Sequence, residues 1–104
     1  MDVTPFQHIP SLALYSCRSL TDFSALGRVR ELHLDCCNQL VDVSPLKNVR
    51  KLQLFCLPKV IDVSALGTVH TLDLFRLPNV IDVSALETVY RLRIHECGVL
   101  DVNR

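Results

Sequence analysis

The side chains with the most chemical potential in this chain are its five cysteines, four histidines and eleven carboxylates. Their spacing argues against catalysis. His8, His33, His70 and His95 occupy four different positions of a 20-residue period, so no nucleophile, base and orienting group recur together. The cysteines match no zinc-ligand spacing, and three glycines are too few for a phosphate-cradling loop. We therefore expect no enzyme activity, no cofactor and no metal. Asp2, Asp22, Asp42, Asp62 and Asp82 do recur every 20 residues. One carboxylate per period does not converge on the six or more oxygens that calcium needs. Each is better placed to accept N–H bonds from the turn that follows, a cap worth about 1 kcal/mol.

The same period organises the whole chain. It divides into five units, 2–21, 22–41, 42–61, 62–81 and 82–101, which form one domain over 1–104 with no evident capping helix. Units three and four, DVSPLKNVRKLQLFCLPKVI and DVSALGTVHTLDLFRLPNVI, agree at 12 of 20 positions without a gap. A repeat this short cannot bury its own apolar face, so neighbouring units must stack and share a core. Seven apolar columns serve that purpose; Leu12/Leu32/Leu52/Leu72/Leu92 and Leu14/Leu34/Leu54/Leu74/Ile94 are two of them. The Leu-x-Leu pair alternates with period two, as a short strand does, and equivalent strands would stack as a parallel sheet at ~4.8 Å. The Asp-Val-Ser-x-Leu segment reads as a turn into a short 3₁₀ or helical stretch, with Pro5 and Pro45 where a missing N–H costs nothing.

If the leucines of each strand point inward, the residues between and beside them point out. One outward column is Tyr15, Asp35, Phe55, Phe75 and His95; another is Ala13, His33, Gln53, Asp73 and Arg93. These positions vary between units while the inward ones do not. A stripe of Tyr15, Phe55 and Phe75 flanked by Arg76, Arg91 and Arg93 has the composition of a binding hot spot. The competing reading folds Phe55 and Phe75 back over Pro58 and Pro78. In either case Cys36 and Cys56 share a column and would lie about 5 Å apart, within disulfide range.

The segment Val29-x-x-Leu32-x-Leu34-x-x-Cys37-x-x-Leu40 resembles the cysteine-containing consensus of the leucine-rich repeat family. The following Asp42-Val43-Ser44-Pro45-Leu46 is similar to the corresponding segment of internalin-like repeats. The resemblance runs through all five units. It implies an α/β solenoid with a parallel sheet on its concave face and short 3₁₀ or turn segments on the convex side. It also implies a protein-recognition role for the concave face. Leu57 and Leu77 replace the Asn or Cys that the family uses to hold its loops from inside, so those two loops need other ties.

Charge and hydropathy narrow the partner class. Eleven Lys and Arg balance eleven Asp and Glu. The strand-side cations Arg30, Arg50, Lys51, Arg76, Arg91 and Arg93 are interspersed with Glu31, Asp35, Asp73 and Glu96, which suits a protein partner better than nucleic acid. No apolar run is long enough to span a membrane, and MDVTPFQHIP carries no secretion signal, so we expect a cytoplasmic protein with reduced thiols. Without end caps, Phe6, Ile9, Leu12 and Leu14 at one end and Leu86, Val89, Leu92 and Ile94 at the other would be exposed. The second expectation is therefore a segment of a longer array, or self-association through the repeat ends.

Overall fold

The computed structural model describes residues 10–98 and 102–103. Features expected at Asp2, Pro5, Phe6, His8 and Ile9, and at the Leu100–Asp101 end of the last unit, lie outside the described residues. Five strands, β1 (Ser11–Tyr15), β2 (Glu31–Asp35), β3 (Lys51–Phe55), β4 (Thr71–Phe75) and β5 (Arg91–His95), pair in parallel in chain order. Each residue faces the one 20 positions later, as in Leu32 against Leu52 and Leu54 against Leu74. That register follows from side-chain alternation: a one-residue slip would turn every inward leucine to solvent.

Each of these strands is followed by a residue with positive φ, at Ser16, Cys36, Cys56, Arg76 and Glu96, with φ between 54° and 58°. This left-handed conformation costs roughly 1–2 kcal/mol for a residue with a Cβ. The ladder compensates by continuing one residue into the turn. Cys36 N–H donates to the Phe55 carbonyl at 3.0 Å, and Cys56 N–H to that of Phe75 at 2.9 Å.

Opposite the strands, short 3₁₀ turns run over Ser24–Arg28, Ser44–Leu46, Ser64–Thr68 and Ser84–Leu86. The aspartate two residues before each turn accepts the serine N–H, at 3.0 Å for Asp22, 2.9 Å for Asp42, 2.9 Å for Asp62 and 3.0 Å for Asp82. The turns pack in pairs, the first on the second and the third on the fourth, with less contact between the pairs. Gly27 and Gly67 permit this. A Cβ at Gly67 would lie 2.6 Å from the Ala85 carbonyl oxygen, and one at Gly27 would collide with the Pro45 carbonyl. Lys47 holds the equivalent place between the pairs.

The core lies between strands and turns. Leu34, Leu46, Leu54, Leu57, Leu66, Leu74 and Leu77 are fully buried. Each such side chain contributes about 1.5–3 kcal/mol. The Cys37 and Cys97 thiols donate to the Leu14 and Leu74 carbonyls of the preceding strands at 3.8 and 3.5 Å. Leu57 and Leu77 have no such polar tie, and their loops are linked otherwise. Asn79 Nδ2 donates to the Pro58 carbonyl at 2.6 Å, and Lys59 Nζ to Gln39 Oε1 at 3.3 Å.

The two ends differ. Leu12 and Leu14 of the first strand, and Cys17 just after it, are only partly buried. Leu86, Val89, Leu92 and Ile94, expected to be exposed, are buried instead. A short sixth strand, β6 (Val102–Asn103), returns antiparallel along β5 with Asn103 facing Arg93 and Val102 facing Ile94. The 20-residue period gives no hint of this return. No helix among the described residues is long and apolar enough to cross a membrane.

Candidate functional site: an aromatic ladder on the strand face

Parallel pairing without offset places equivalent outward residues one strand spacing apart, ~4.8 Å, which is close to the distance at which aromatic rings meet. Phe55 and Phe75 therefore stack edge to face, with centroids 4.5 Å apart and planes at 70°. Phe75 continues to His95 at 5.8 Å. In the second repeat the same column holds Asp35, which would interrupt the series. His33, from the neighbouring column, fills the gap, 4.7 Å from Phe55 and 5.2 Å from Tyr15. The result is an unbroken ladder of five rings, Tyr15–His33–Phe55–Phe75–His95, crossing all five parallel strands.

Tyr15 is 63% exposed, and the two phenylalanines are partly buried by each other and by the histidines. Phe55 and Phe75 line a shallow pocket of about 300 Å³ with Asp35, Cys56, Arg76, His95 and Glu96. Pro58 and Pro78 remain exposed, so the rings do not fold back to cover them.

The other expected binding residues take separate roles. Arg76 Nε donates to Glu96 Oε2 at 2.7 Å, and this carboxylate, ahead of Cys56, raises the guanidinium pKa. His95 Nε2 lies 3.8 Å from the other Glu96 oxygen. Arg91 and Arg93 stand exposed on β5. Asp73, expected at the solvent-facing surface, is only 7% exposed. It accepts a hydrogen bond from Gln53 Nε2 at 3.0 Å, which satisfies a carboxylate otherwise costly to bury.

Asp35, displaced from the ladder by His33, sits instead with Cys36 and Cys56. One ligand atom from each lies within 4.8 Å of the others. The Cys36 thiol is pushed up to about 11, chiefly by its hydrogen bond to Asp35, then by burial and the Asp35 charge. At neutral pH it is a protonated thiol, which is a poor nucleophile.

Sequence reasoning did not find a basic groove of about 710 Å³ beside the strands. Arg28, Arg30, Lys47, Arg50 and His70 line it, with no carboxylate among its lining residues. His70 stacks on Tyr90 at 5.0 Å. The signal was the column Arg30/Arg50/His70/Tyr90 just before the strands, which only the folded geometry separates from the acidic residues nearby. No family model, curated protein or solved structure matches the chain.

Proposed function

We propose that this chain is a leucine-rich-repeat solenoid acting in the cytoplasm as a non-catalytic protein–protein interaction module. A protein partner docks on its concave strand face. The observation that carries the reading is the five-ring ladder, which holds aromatic side chains on a regular sheet at little further entropic cost to binding. Rings packed against one another are pre-ordered, and the exposed Arg91 and Arg93 of β5 add cationic groups at one end of the ladder. The test is comparative capture by the wild type, by Phe55→Ala/Phe75→Ala, and by Ile61→Ser, which alters an exposed residue away from the strand face. Partners retained by the wild type and Ile61→Ser but lost by the double variant support the reading.

A second reading is supported by the partly buried Leu12 and Leu14 on β1 and Cys17 just after it. Among the described residues no strand pairs with the outer edge of β1, so a further repeat of a longer array, or a second chain, would extend the sheet and cover the apolar side chains there. Association by this route runs through β1, because Leu92 and Ile94 at the β5 end are buried. Light scattering over a dilution series, compared with Leu12→Ser, separates the two readings.

A further inference from the structure

We propose that Asp35, Cys36 and Cys56 form a binding site for a soft divalent cation of the zinc type. This inference is independent of the protein-binding reading. Two thiols and a carboxylate are a donor set such a cation favours, and magnesium or calcium does not. The three ligand atoms already lie within 4.8 Å of one another, and all three residues are partly buried. Zinc–sulfur bonds of about 2.3 Å in a tetrahedron put ligand atoms about 3.8 Å apart. Closing the set therefore takes a shift of about 1 Å, within the reach of side-chain rotation.

The backbone aims the Cα–Cβ bonds of the two cysteines in parallel. Cys36 and Cys56 have the same left-handed conformation, with φ of 56° and 55°. Their amides donate to equivalent carbonyls on the next strand, so the two Cα–Cβ vectors repeat from one coil to the next. Asp35 comes from the strand end immediately before Cys36 and is free of the aromatic ladder because His33 occupies that place. Arg76, the next residue in the cysteine column, donates to Glu96 at 2.7 Å and also contacts Cys56, so a bound cation would displace its guanidinium from that sulfur toward Glu96. Three protein ligands leave one coordination position for water, as in open zinc sites. Binding releases the proton of each thiol to solvent and involves no electron transfer. The other close thiol pair, Cys17 and Cys37, has no third donor among the described residues, and its S–H groups are already directed at the Tyr15, Leu14 and Asp35 carbonyls.

The test is a cadmium titration of the full chain under a non-thiol reductant, followed by the ultraviolet thiolate-to-metal charge-transfer band, with zinc as competitor. The wild type should saturate at one equivalent, and zinc should abolish the band. Cys36→Ser and Cys56→Ser should each lose tight binding, and Cys17→Ser should retain it. Asp35→Asn, which leaves every thiol in place, should keep the band at weakened affinity. Circular dichroism confirms that each variant is folded. No band in the wild type at large cadmium excess, or an unchanged band in both Cys36→Ser and Cys56→Ser, would overturn the assignment.

Discussion

Phe55 and Phe75, twenty residues apart in the chain, meet edge to face at 4.5 Å because β3 and β4 pair in parallel without offset. The contact is a direct product of the repeat length. An insertion of one residue in the intervening loop would have to be absorbed as a bulge, or it would shift one ring off the other.

That contact should be measurable as a coupling. In a double-mutant cycle, Phe55→Ala and Phe75→Ala should be non-additive in urea unfolding by about 0.5–1.5 kcal/mol, the range for aromatic pairs. Additive effects would mean that the rings do not interact in solution.

Equivalent leucines should differ in cost by position. Leu54 is fully buried in the middle of the stack, and Leu54→Ala should destabilise by about 2–5 kcal/mol. Leu14 holds the same column position on β1 but is only partly buried, so Leu14→Ala should cost clearly less. Chemical denaturation of both variants checks the ordering.

The aspartate ladder gives stability a pH dependence of definite sign. Hydrogen bonds from the following serine lower the carboxylate pKa, with the hydroxyl as the larger cause at Asp22 and Asp62 and the backbone amide at Asp42 and Asp82. A folded-state pKa below the unfolded value stabilises the fold above the ordinary carboxylate range. That contribution disappears as pH falls through the lowered pKa. Thermal unfolding between neutral and acid pH should therefore show a smaller acid-induced fall in Tm for Asp62→Asn than for the wild type.

Cys36 should resist alkylation. With its thiol pushed up to about 11 by Asp35, the thiolate is scarce at pH 7, whereas an ordinary thiol is already partly ionised by pH 8–9. Asp35→Asn removes the carboxylate that holds the proton, so alkylation of Cys36 at neutral pH should accelerate. Mass spectrometry of iodoacetamide-treated, metal-free protein reads this directly.

The parts of the fold that obey the period were legible in the sequence. Leu32 and Leu34 marked an inward strand face, and Asp42 before Ser44 marked a turn whose carboxylate accepts the serine amide. What escaped notice depends on how individual side chains lean or where the chain departs from its repeat. His33 replaces Asp35 in the ladder by reaching across from the next column. Asp73 is buried through its bond to Gln53, a pairing that exists in one repeat interface. The β6 return is not periodic, and the basic groove gathers Arg30 and Arg50 from one position of the repeat and Arg28 and Lys47 from two others.

The central claim is that the strand-face rings bind a protein partner, and the most direct measurement is partner affinity for the wild type beside Phe55→Ala/Phe75→Ala, with Tm recorded for both. Loss of the two central anchors should weaken binding by at least about 2 kcal/mol, roughly thirtyfold or more, while the double variant still unfolds cooperatively. A folded double variant that binds the same partner with unchanged affinity would contradict the account.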